Sequence, residues 1–74
     1  MIKEVLFKNE GDDGALDFIG PVWVVTDAGT EPYEQAVKAD GTPRTFLGRP
    51  VPKWFTRSFA QDLAADEGAI FKDV

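Results

Sequence analysis

A chain of 74 residues with 43% hydrophobic residues and thirteen acids against eight cations, for a formal net charge of −5, has room for one hydrophobic core, so residues 1–74 are read as a single domain. The absence of cysteine and histidine excludes a disulfide framework and thiolate or imidazole metal sites, and removes the commonest nucleophile and general base. Two tryptophans and six phenylalanines are too much apolar material for a disordered tail, and no apolar run approaches the roughly 20 residues that span a bilayer, so a folded cytoplasmic protein with no membrane partner is expected.

Residues 2–8, IKEVLFK, are β-branched and aromatic and predict a strand, closed by the turn-forming cluster of residues 9–14, NEGDDG. Residues 15–26, ALDFIGPVWVVT, continue in strand character on both sides of Gly20-Pro21, where a proline that cannot donate to a ladder predicts a bulge, a bend or a sheet edge. An unbroken pleat sets Leu16, Phe18, Val22 and Val24 on one face and Ile19, Trp23 and Val25 on the other. Both faces are apolar and both need cover, with Trp23 expected in the core. After a turn at residues 27–30, residues 30–41 fit two structures. Thr30 can cap a short helix that ends at Gly41, which the Glu, Gln, Ala and Lys content favours; alternatively Asp40-Gly41 is the turn of a hairpin joining residues 33–39 to 42–47.

Pro50 and Pro52 make residues 48–53 a stiff extended connector. Ser58, with Gln61 three residues on, predicts a helix over 59–66 with Phe59, Leu63, Ala60 and Ala64 on its apolar side and Gly68 at its end; a start near Lys53 fits nearly as well. Residues 69–74 read as an extended tail or edge strand. The expected fold class is α+β: a small single-domain antiparallel sheet of three to five strands with one or two short helices.

Charge is ordered along the chain. Residues 9–37 hold Glu10, Asp12, Asp13, Asp17, Asp27, Glu31 and Glu34 with no cation, whereas residues 38–57 hold Lys38, Arg44, Arg49, Lys53 and Arg57 against Asp40 alone. Coherent patches of opposite sign would steer association with a complementary partner. Candidate protein-binding residues are therefore Glu10, Asp12, Asp13, Asp27, Glu31 and Glu34 on the acidic side. On the basic side they are Arg49, Lys53 and Arg57 around Trp54, which lies off the phenylalanine stripe and suits an interface anchor. Arg44, Arg49, Lys53 and Arg57 alternate with Phe46, Trp54 and Phe55 much as a base-stacking platform does, but the acidic remainder opposes direct nucleic-acid binding.

Asp12, Asp13 and Asp17 are the nearest thing to a carboxylate pair, and their glycine-flanked setting reads as exposed turn; no catalytic residue is assigned, and an enzyme is not expected. A calcium loop fails because, with Gly14 at its sixth position, Gly20 falls where an acid is required. Neither metal nor cofactor is expected.

Short, acidic, free of Cys and His and rich in aromatics, the chain resembles small phage-encoded accessory proteins that bind and inhibit host machinery, such as anti-CRISPR or transcription-inhibiting proteins. The likeness is one of composition and transfers no residue. It implies a viral inhibitor in the host cytoplasm that binds a protein partner, with a basic nucleic-acid-handling host protein as the fitting class. The alternative is a virion-type structural or assembly subunit, so the state expected is a monomer or a small homo-oligomer.

Overall fold

The computed structural model describes residues 1–12 and 17–74. The expectations that Leu16 shares a face with Phe18, Val22 and Val24 and that Asp13 joins an acidic patch fall outside these residues. β1 (Glu4–Phe7) and β2 (Ile19–Thr26) pair antiparallel, with Phe7 opposite Val22 and Glu4 opposite Val25. Further along, Asp12 bridges Phe18. Five steps on the first strand thus match four on the second: the Glu10 N–H donates to Ile19 O and the Ile19 N–H to Gly11 O, so Glu10 and Gly11 together oppose Ile19 as a β-bulge. β2 runs through Gly20-Pro21, where an irregularity is expected, and the bulge lies instead on the partner segment opposite Ile19.

β3 (Gly29–Pro32) folds back on the second half of β2 through a tight turn in which the Ala28 N–H donates to the Thr26 hydroxyl at 3.1 Å. β4 (Thr45–Phe46) and β5 (Arg49–Pro50) form a separate two-stranded hairpin. β6 (Trp54–Thr56) then pairs with the first half of β2, Phe55 lying opposite Gly20. α1 (Arg57–Glu67) leads to β7 (Ile70–Asp73), which lies parallel to β1 at the sheet edge. The result is an α+β fold of one helix on a five-stranded sheet, with β3, β2, β1 and β7 in order and β6 on β2. The parallel β7 makes the sheet mixed rather than wholly antiparallel. No helix among the described residues is long and apolar enough to cross a membrane.

The helix begins two residues earlier than Ser58 would set it, because Thr56 is the cap: its hydroxyl accepts the Phe59 N–H at 3.1 Å. Thr56 has this geometry because β6 holds it extended (φ −76°, ψ 157°). Gly68 ends the helix as expected, donating to Ala64 and Ala65 carbonyls. Ala60 and Ala64 are the buried contacts of the helix, and their small size lets its backbone approach Val5, Phe7, Val22 and Val24. Phe55, Leu63 and Phe71 pack around this centre. By strand alternation the opposite sheet face carries Leu6, Trp23 and Val25, all half-buried. Trp23 is therefore not in the core.

The helix start is tied to β7. The Arg57 Nε donates to Asp73 at 3.0 Å, and the guanidinium lies 5.2 Å from the Phe71 ring centre. Asp17 accepts from the Phe18 N–H at 2.8 Å and lies beside Ser58. The hydrogen bond from Ser58 holds Asp17 below the ordinary carboxylate range, and the one from Arg57 does the same to Asp73. A carboxyl whose folded pKa is depressed adds stability that is present above its unfolded pKa and is lost as pH falls through the folded value. Stability to urea should therefore be flat near neutrality and decline below about pH 4. Asp73→Asn should shrink the difference between the midpoints at pH 7 and pH 3. An unchanged difference would show that the Arg57 pair contributes nothing in solution.

Candidate functional site

Residues 34–53 leave the sheet between β3 and β6 and form an arm. Its backbone is a small ladder: the Ala36 N–H donates to Val51 O at 2.8 Å, and the Ala36 carbonyl accepts from Arg44 N at 2.8 Å. Lys38 N–H to Thr42 O (2.8 Å) closes the turn at Asp40-Gly41, and the Asp40 carboxylate accepts both the hydroxyl (2.7 Å) and the N–H (3.0 Å) of Thr42. The hairpin alternative is thus the correct one for residues 33–47, and the helix favoured by composition does not form. The extended partners on either side of Ala36 satisfy backbone groups that helix propensity alone would have paired internally.

The arm's base is clamped to the sheet. Tyr33 donates its N–H to Val22 O at 3.0 Å. Its ring meets Phe55 and Phe59, each 5.8 Å away between centres, and those two rings stack at 4.4 Å. Edge and offset contacts of this kind add to area burial. The far end is a two-residue turn at Leu47-Gly48, where φ is positive at both positions (52° and 78°), as in a type I′ hairpin turn. Glycine suits this; leucine does not, since the left-handed region costs a residue with a Cβ about 1–3 kcal/mol. Leu47 is 86% exposed and Phe46 70%, so neither is held there by packing within the chain. Leu47→Asn should raise stability by about 1 kcal/mol, read as a higher urea midpoint at unchanged slope. A lower midpoint would mean that Leu47 packs against the chain after all.

Between the arm and the open sheet face lies a cleft of about 740 Å³. Its apolar lining is Trp23, Phe46, Pro50, Val51 and Pro52; its charged lining is Lys38, Arg44 and Arg49. Among the described residues no carboxylate lines it. Cation pairing divides the chain in two. Lys3 pairs with Asp27 (2.7 Å), Lys8 with Glu10 (3.4 Å), Lys72 with Glu4 (2.7 Å) and Arg57 with Asp73. Among the described residues the remaining four cations, Lys38, Arg44, Arg49 and Lys53, have no ion pair, and all four lie in the arm.

The residues expected at an interface are dispersed by the fold. Glu10 and Asp27 are engaged by lysines of β1 and its flanks, whereas Glu31 and Glu34 are exposed near the arm's base. Asp12 is exposed at its bridge to Phe18. The uninterrupted acidic sequence block is thus interleaved with lysines from outside it. Lys53 lies 5.6 Å from the Phe55 ring, and Arg57 is occupied by Asp73. Trp54 is half exposed, as expected, although on a strand opposite Pro21 and away from the cleft. Of the described residues in the predicted set only Arg49 lines the cleft. Lys38, Phe46, Leu47 and Trp23 were not among the site candidates. The available signal was Phe-Leu-Gly-Arg as a hairpin tip, masked because leucine is not a turn former.

Three or more acidic side chains converging as metal ligands do not occur among the described residues. The depressed pKa of Asp17 keeps it ionised, the opposite of what a general acid needs. Comparison with protein-family models, curated proteins and solved structures finds no match to this chain.

Proposed function

We propose that the chain is a non-enzymatic protein-binding module that meets its partner through the arm. The observation that carries this is the tip: Phe46 and Leu47 stand in solvent on a rigidly based hairpin, with leucine held in a conformation it resists. Strain and exposed apolar surface both oppose stability, and their conjunction at one turn favours a selected contact surface. A rigid hairpin also limits the ordering cost of association, and apolar tip residues ringed by cations match the composition of interface anchors. A stoichiometric inhibitor of host nucleic-acid machinery is one form such a module takes; the arm supports the binding part of that expectation.

A photo-crosslinking residue at position 47 should yield a discrete adduct in a lysate of the source cells. The same residue at position 62, on the exposed side of α1, should yield none. Equal adducts from both positions would contradict the proposal.

A second reading, self-association, is favoured by β7, an edge strand that begins with exposed Ile70 and is followed by exposed Val74. Sedimentation at tens of micromolar separates the two: a monomer fits the binding module, and a discrete dimer abolished by Ile70→Lys fits the subunit.

A further inference from the structure

We infer that the cleft between Trp23 and the arm is a site for a short acidic peptide segment of the partner, which seats an apolar side chain against Trp23, Phe46 and the proline rings and sets its carboxylates on Lys38, Arg44 and Arg49. The inference rests on the arm being the binding surface and specifies the chemistry of what binds there.

Charge distribution carries it. In a chain with thirteen acids, each cation outside the arm has found a carboxylate, while the arm's cations have none among the described residues. Three of these four line one cleft with no acid among its described lining residues. Like charges gathered without counter-charge repel one another, and an incoming carboxylate relieves that repulsion. Two of the three are arginines, whose planar guanidinium forks match carboxylates with two parallel hydrogen bonds. Once a ligand covers it, the apolar lining shields such pairs from water, and a volume of about 740 Å³ accommodates a few residues of peptide.

Phosphate chemistry would also satisfy three cations, yet the surroundings favour the peptide. With Lys38, Arg44 and Arg49 set aside, the rest of the chain carries a formal net charge of −8. A nucleic-acid strand must continue past the cleft into that negative field, with a charge at every step. A peptide can confine its acids to the few residues the cleft holds.

The test is fluorescence anisotropy of a labelled pentapeptide with four glutamates around one phenylalanine. Wild-type protein should bind it, at least about tenfold more tightly than the same peptide with glutamines, and binding should weaken as salt rises. The double variant Arg44→Glu, Arg49→Glu should lose at least about tenfold in affinity, whereas Lys3→Glu should not. Equal binding of the glutamine peptide overturns the inference on wild-type protein alone, whether or not the double variant folds. Tighter binding of a ten-nucleotide oligothymidylate than of the glutamate peptide overturns it in favour of a phosphate ligand. Where the peptide fails to bind but crosslinking through position 47 persists, the acidic ligand is wrong and the arm stands. Loss of both removes the arm as well.

Discussion

Gly20→Ala is expected to abolish cooperative folding at 25 °C. A Cβ built on Gly20 falls directly on the carbonyl oxygen of Lys8, with the Lys8 carbonyl carbon at 2.9 Å and the Glu10 nitrogen at 3.2 Å. All three are backbone atoms, so no side-chain rotation relieves the clash. Moving the 8–10 segment away strains or breaks Lys8 N–H to Pro21 O (3.3 Å) and Glu10 N–H to Ile19 O (3.0 Å), at about 1 kcal/mol each, and overpacking adds about 1–3 kcal/mol. A chain of this size has only a few kcal/mol in hand. A urea titration followed by far-ultraviolet circular dichroism should show no native baseline. A midpoint within error of wild type would show that the 8–10 segment beside Gly20 yields freely, against the fold described.

Phe7→Ala is expected to cost about 3–5 kcal/mol, enough to leave the native state a minority. Phe7 is fully buried at the end of β1, on the face that meets Ala60 and Ala64. Those alanines bring the helix backbone close, so neighbouring side chains have little freedom to collapse into the space a truncation leaves. Phe46→Ala makes the contrast: the same chemistry on a 70% exposed ring should shift the midpoint by no more than about 0.5 kcal/mol. Comparable losses for the two would mean that the arm is part of the core.

The sequence is most legible where local chemistry and tertiary context agree. IKEVLFK is a strand because its inward positions, Val5 and Phe7, are large and apolar, and the sheet buries them both. Gly68 stops the helix through its own backbone, without help from distant residues. The N-terminal cap was misplaced by two residues because Thr56 and Ser58 are both competent caps, and the choice is made by β6, whose pairing with β2 is thirty-odd residues away in sequence. Residues 33–47 went the other way for a similar reason: helix propensity in Glu34, Gln35 and Ala36 is worth tenths of a kcal/mol per residue, less than a ladder on both sides of Ala36.

The site was less legible than the fold. Like charges adjacent in sequence suggest an acidic face, yet Glu10 pairs with its near neighbour Lys8, and the β1–β2 pairing carries Lys3 across to Asp27, which no local pattern reveals. The same mixing leaves the arm basic, since the hairpins bring Lys38, Arg44 and Arg49 to one cleft. Trp23 reads as core between two valines. Alternation puts it on the far face instead, where the second apolar side predicted for this strand becomes the floor of the cleft.

The central claim is that sheet and helix neutralise their own cations and leave the arm to contact other molecules. Its most direct measurement is a ¹H–¹⁵N titration of the labelled protein with the glutamate–phenylalanine pentapeptide. Shifts confined to residues 36–52 and the Trp23 indole are predicted, with Lys3, Lys8 and Lys72 unmoved. Shifts centred instead on residues 9–12 and 27–34, or on β7, would contradict the account.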